Sequence, residues 1–152
     1  MKEQDNKILI IGIGNSGRAD DGLGWAFIDH IIEKLPENFD CEYRYQLQVE
    51  DAEMISHYPV VYFVDADVNR YENGFLWAEC QARASYGYTS HELDPETILD
   101  LSKSIYNKLP EAYILGISGF NFHLESRITD HGKENLSHAL DFFNEKILNL
   151  IA

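Results

Sequence analysis

The sequence predicts an α/β fold in a single domain. It reads as a doubly wound, three-layer structure with a twisted five-stranded, mostly parallel sheet, one antiparallel strand, and helices on both faces. Three observations carry this. The run KILIIGIG at 7–14 is continuously apolar and ends in glycines, as a strand buried on both faces does. Strand-like and helix-like segments then alternate along the chain. One pair of strand-like segments is joined only by RYENG at 70–74, too short for a helical crossover.

The elements follow in order. LGWAFIDHIIEKL at 23–35 puts Leu23, Phe27, Ile28, Ile31 and Leu35 on one helical face, and Pro36 stops it. CEYRYQLQV at 41–49 is the second strand, and DAEMISHY at 51–58 is a short helix before Pro59. VVYFVDAD at 60–67 is the third strand and ends in Asp65 and Asp67. FLWAECQA at 75–82 is the fourth, antiparallel to the third. Residues 85–93 are loop. The next helix, 94–109, opens with Asp94 as N-cap and Pro95 at its first position. AYILGIS at 112–118 is the fifth strand, GFNFHLES is loop, and 129–152 is the closing helix with Thr129 as cap.

Composition narrows the function. A chain of 152 residues with 45% apolar content builds one sizeable core, spanning 1–152 as a single domain. The 26 acidic residues outnumber the 12 basic ones, for a net charge of −14, which argues against a nucleic-acid partner and against an anionic cofactor. No apolar stretch approaches the roughly 18 residues of a membrane span. The polar start MKEQDNK leads straight into a strand, unlike a signal peptide. Cys41 and Cys80 read as buried thiols of a reducing compartment. The expectation is a cytoplasmic monomer with no membrane partner and no organic cofactor.

In a doubly wound sheet, ligands meet the carboxyl ends of the strands near the topological switch point. There the sequence places Asp20 and Asp21 after the first strand, Asp65 and Asp67 at the end of the third, and His91 and Glu92 after the fourth. Gly12, Gly14 and Gly17 spell G-x-G-x-x-G, the turn of a dinucleotide site, for which Glu50 or Asp51 would be the ribose acid. Two carboxylates beside a pyrophosphate oppose that reading. Like charges about 5 Å apart at an effective dielectric near 20 repel by roughly 3 kcal/mol. A phosphate-sensing receiver module is a second reading, with Asp20, Asp21 and Asp65 as its acids. It requires a lysine after the fifth strand, and GISGFNFHLESRI has none. A metal site is the third. Asp21, Asp65 and His91 come from three strand ends, and two carboxylates with one imidazole suit a divalent transition ion with positions left open.

Each of these residues also has a plainer use. Asp20 suits a cap for the helix beginning near Gly22, and Asp67 suits the turn before Tyr71. His30, His57, His131 and His138 fall in helices and read as ordinary surface or half-buried residues. His123, in the loop after the fifth strand, is an outside candidate.

GIGNSGRADDGLG resembles the first-strand loop of the hydrogenase maturation endopeptidases, whose motif runs G-x-G-N, four residues, D-[DE]-x-x-G. Gly12, Gly14, Asn15, Asp20, Asp21 and Gly24 match it. FVDAD resembles the family's third-strand ending, and TSHELDP its [ST]-x-H-x-[LM] segment. The resemblance implies an endopeptidase that removes the C-terminal extension of a NiFe-hydrogenase large-subunit precursor after nickel insertion. It implies nickel supplied by that precursor and contacted by Asp21, Asp65 and His91, which would also be the catalytic residues. Cleavage would use the metal to polarise the scissile carbonyl or activate water, or Asp21 or Asp65 as general base. Two segments depart from the family. YQLQVEDAE, with Gln46-Leu47, stands where many members carry D-G-G lining the substrate groove, and GFNF at 119–122 also differs. On this reading Gly12 and Gly14 turn the chain off the first strand, Asn15 braces the turn, and Gly17 has no phosphate to serve.

Overall fold

The computed structural model describes residues 6–84 and 93–149. Its strands are β1 (Ile8–Ile13), β2 (Phe39–Arg44), β3 (Val60–Asp67), β4 (Phe75–Glu79) and β5 (Glu111–Ser118). Its helices are α1 (Leu23–Ile31), α2 (Glu50–Ser56), α3 (Pro95–Tyr106) and α4 (Asp130–Phe143). The strands form one sheet in the order β2-β1-β3-β5-β4. All neighbours are parallel except β4 and β5. The fold class is the one the alternating pattern predicts.

Alternation along β3 divides the core. Tyr62 and Val64 face one layer with Leu23, Phe27, Ile28 and Ile31 of α1 and Leu136, Ala139 and Phe143 of α4. Val61 and Phe63 face the other, with Ala52 and Ile55 of α2 and Ile98 and Leu99 of α3. Each large side chain buried this way contributes roughly 1.5–3 kcal/mol. Gly24 makes the first layer possible. A Cβ there would lie 2.5 Å from the Val64 carbonyl oxygen, so only glycine lets α1 settle onto β1 and β3.

Several expectations need correction. The fourth strand is antiparallel, but its partner is β5 rather than β3. β5 carries the buried run from Leu115 to Ser118 that a central strand needs, whereas β4 exposes Leu76 and Glu79 and suits an edge. β2 ends at Arg44 instead of continuing to Val49. Arg44 Nε donates to Asp51 Oδ1 at 3.0 Å, and Asp51 Oδ2 accepts from the Gln48 amide at 2.9 Å, so residues 45–49 are drawn out of the sheet. α1 tightens into a 3-10 turn at Ile32–Lys34, and α4 passes into a π-helical turn at Asn144–Leu148. Cys41 packs against the α1/α4 layer and Cys80 lies in the α2/α3 layer, so they are free thiols on opposite faces. Burial and neighbouring acids push Cys41 up to about 11 and Cys80 up to about 12, which keeps both protonated and unreactive at neutral pH. No described helix is long and apolar enough to cross a membrane.

α3 begins as its sequence predicts, with Asp94 accepting from the Thr97 amide at 2.8 Å and Pro95 in the first turn. Partial burial works against the Asp94 charge, but the Thr97 hydrogen bonds and the Arg83 guanidinium outweigh it and hold its pKa below the ordinary value. A lowered folded-state pKa gives stability that is present above the unfolded value, about 3.9, and lost as pH falls through the folded one. Asp94→Ala should therefore cost about 1 kcal/mol at neutral pH. Urea titrations of both proteins should show that difference closing as pH drops below about 4.

Candidate functional site

The chain order reverses between β1 and β3. β2 lies on one side of β1, and every later strand lies on the other. The carboxyl ends of β1 and β3 are thus the switch point. A pocket of about 260 Å³ opens there, lined by Ile13, Gly14, Asp21, Tyr45, Gln46, Leu47, Asp65, Leu93, Asp94 and Pro95.

Asp65 reaches this pocket by register. It pairs with Ile13 of β1 on one side and Gly116 of β5 on the other, and by alternation shares the face of Val61 and Phe63. Asp21 reaches it through the β1–α1 connection. Gly14 has φ +145°, and a Cβ at that position would overlap the Asp21 carbonyl. The tight turn that only glycine permits brings the aspartate back over the end of β1, where the Asp21 carbonyl accepts from the Asn15 amide at 3.1 Å. Asn15 Oδ1 accepts from the Gly17 amide at 2.8 Å, so the side-chain brace is present. Gly12 is not part of the turn. It lies within β1, and its missing side chain leaves room for Ile28 and Gly24.

The wall opposite Asp65 is the segment that departs from the D-G-G pattern. Tyr45, Gln46 and Leu47 run along it, and Leu47 bridges to Leu93 just before α3. The Trp25 ring packs against Tyr43 and Tyr45, and its Nε1 donates to the Arg44 carbonyl at 3.0 Å. Tyr45 is 69% exposed at the pocket rim.

Asp21 and Asp65 therefore line one pocket, as their placement at two strand ends anticipates. His91 and Glu92 lie outside the described residues. Among the described residues, no group of three or more His, Cys, Asp or Glu side chains is arranged to hold a metal ion. No Ser, Thr, Cys or Lys is among the described residues lining the pocket, so none there offers a side-chain nucleophile of the acyl-enzyme type. His30, His57, His123, His131 and His138 are all exposed. Asp67 serves its turn, accepting from the Asn69 amide at 2.9 Å and the Tyr71 hydroxyl at 2.7 Å.

Asp20 is the residue whose role the sequence does not reveal. The α1 N-cap is Gly22, with no side-chain bond, so Asp20 does not cap that helix. Its carboxylate is 0% exposed and holds the β5–α4 connection. Oδ2 accepts from the amides of Phe120 at 2.7 Å and Asn121 at 3.2 Å and from the Thr129 hydroxyl at 2.8 Å, while Oδ1 accepts from the Thr129 amide at 2.8 Å. Backbone bonds join the same two loops, from the Asp20 amide to the Asn121 carbonyl and from the Glu125 amide to the Gly17 carbonyl. The two adjacent aspartates thus divide their work: one faces the pocket, and the other fixes the loop that presents it.

The geometry removes one of the two ribose acids that the dinucleotide reading offers. Asp51, a proposed ribose acid, is 4% exposed and is engaged by Arg44 and Gln48. A 3-10 turn at Ala19–Gly22 separates the glycines from the start of α1.

No protein-family model matches the chain, and no curated protein matches it. Solved structures do. The hydrogenase maturating endopeptidase HybD from E. coli matches with a TM-score of 0.72 at 12% identity, over 95% of this chain and 93% of its own. The [NiFe] hydrogenase maturation protease HycI from Thermococcus kodakarensis matches with 0.69 at 20% identity, over 92% and 91%. A hydrogenase 2 maturation peptidase from a Thaumarchaeota archaeon matches with 0.66 at 20%, over 91% and 96%. The chain has the fold of these proteases along nearly its whole length.

Proposed function

We propose that this protein is an endopeptidase that removes the C-terminal extension from a NiFe-hydrogenase large-subunit precursor after nickel has been inserted. One observation carries the reading. Two carboxylates from different strand ends, Asp21 and Asp65, line a single pocket at the switch point of a fold shared with hydrogenase maturation proteases.

In this reading the nickel belongs to the substrate. Asp21, Asp65 and His91 contact it and carry the catalysis. Nickel takes imidazole well and carboxylates less well, so this donor set holds free nickel weakly, and thiolates of the precursor complete the coordination. Recognition is then a shared coordination sphere, and an unloaded precursor lacks the recognition element. Hydrolysis places a water oxygen on the scissile acyl carbon, and the departing amide nitrogen takes a proton. A pocket lined by aspartates and lacking a Ser, Thr, Cys or Lys nucleophile among its described residues suits direct attack by water. In this reading the Tyr45–Leu47 wall meets the precursor's tail, and its departure from D-G-G bears on which hydrogenase is processed.

The test is to mix the purified protein with nickel-loaded and nickel-free precursor from the same organism and follow precursor mass. Loss of a C-terminal peptide from the loaded form alone is the expected result. No cleavage of either form by a folded protein would overturn the reading.

A further inference from the structure

The five arginines of the chain are not spread evenly. Arg18 lies in the β1–α1 connection, Arg44 ends β2, Arg70 lies in the β3–β4 connection, and Arg127 lies in the β5–α4 connection. Arg83 pairs with Asp94 at the start of α3. All five therefore sit at the carboxyl end of the parallel strands. Most described lysines take the other end: Lys7 and Lys34 flank the start of β1 and the end of α1, Lys103 is in the last turn of α3, and Lys108 and Lys146 follow α3 and α4, while Lys133, near the start of α4, is at the arginine end.

Two of the arginines are used internally, Arg44 on Asp51 and Glu42 and Arg83 on Asp94. Arg18, Arg70 and Arg127 are exposed, and they make no ion pair among the described residues. The three connections that carry them are fastened into one surface. Asp20 ties the first to the third. The Ser118 hydroxyl donates to the Asn69 carbonyl at 2.8 Å, and the Gly119 amide donates to the Asp67 carbonyl at 2.8 Å, which ties the second to the third. Arg70 stacks over the Phe120 ring at 4.6 Å. Val68 and Leu124, 74% and 80% exposed, stand on the same connections.

We propose that this surface, with Arg18, Arg70 and Arg127 beside Val68 and Leu124, docks an acidic polypeptide segment of the protein substrate. The inference rests on the endopeptidase reading and names the chemistry of its partner. Guanidinium groups pair with carboxylates through two parallel hydrogen bonds, and arginine is enriched among the residues that carry most of an interface's binding energy. The surface is held in place before binding, so little ordering is needed on contact. On these three connections the three exposed arginines outnumber the exposed acids, Glu72 and Glu125, whereas over the whole chain 26 acidic residues outnumber 12 basic ones, so an acidic segment meets less repulsion here. The same β1–α1 loop carries Arg18 on the docking surface and Asp21 in the pocket, so a segment bound here brings its neighbouring chain to the carboxylates.

The experiment compares wild type with two matched triple charge reversals, Arg18→Glu/Arg70→Glu/Arg127→Glu and Lys103→Glu/Lys108→Glu/Lys146→Glu. Melting curves confirm that each is folded. Binding of the nickel-loaded precursor is titrated at low and high salt, and sedimentation reports self-association. The arginine set should weaken binding by at least about tenfold at low salt and flatten its salt dependence, while the lysine set binds as wild type does. Equal weakening by both sets would overturn the proposal, since net charge alone would then explain it. Unchanged binding by the arginine set would also overturn it. So would a salt-sensitive dimer that this set abolishes without affecting the precursor. If wild type neither binds nor cleaves the precursor, the endopeptidase reading falls and takes this one with it. If wild type does both and only the arginine comparison fails, the docking proposal falls alone.

Discussion

Asp20→Ala is expected to lower stability by about 3–5 kcal/mol and to remove processing activity from whatever protein remains folded. The substitution deletes the acceptor of three backbone amides and one hydroxyl in a fully buried position. Each donor left without a partner costs about 1–3 kcal/mol, and a stable domain has only about 5–15 to lose. The space is also committed, because Gly119 and Gly132 lie so close that a Cβ on either would fall within 3 Å of the Asp20 side chain. Asp20→Asn should be milder, since it keeps the shape but turns one acceptor into a donor facing donors. Denaturant titration reads the stability. The cleavage assay on the folded fraction reads whether Asp21 is still presented.

Asp65→Asn gives the opposite pattern. Processing should fall by roughly 10²–10⁴-fold, the range associated with losing a catalytic acid or base, with the melting temperature close to wild type. The side chain is half-buried at the end of a strand whose ladder with β1 and β5 is made by backbone, so the amide fits the same place. Normal processing by this variant would remove Asp65 from the site. The two substitutions together separate a residue that builds the site from one that works in it.

The fold is legible in the sequence wherever the signal is local. The run before Gly12 can only be a buried strand, Asp94-Pro95 and Thr129 open helices, and RYENG turns the chain too sharply for a crossover. Asp21 and Asp65 are legible because strand ends at a switch point converge whatever the intervening sequence. Signals between distant parts of the chain are not legible. The partner of β4 depends on where α3 returns β5, and residues 45–49 read as strand until Arg44 meets Asp51. Asp20 looks like a helix cap because its true partners lie 100 to 109 residues away. The arginine surface is hidden for the same reason. Its members are scattered through the sequence, and only the order of the sheet gathers them.

The Asp20 clamp also bears on the order in which the molecule assembles. A bond between Asp20 and Thr129 closes a ring of more than one hundred residues, so it forms only after the chain beyond β5 has been made and docked. Contacts of such high order pay their loop-closure entropy before they return any stability, which places them late in folding. A nascent or partly folded chain would hold β1 and β3 together yet leave the β1–α1 turn unanchored. Competence to cut would then arrive with the last native contacts. Hydrogen exchange at the Phe120, Asn121 and Thr129 amides would report whether this corner opens on its own or only with the whole molecule.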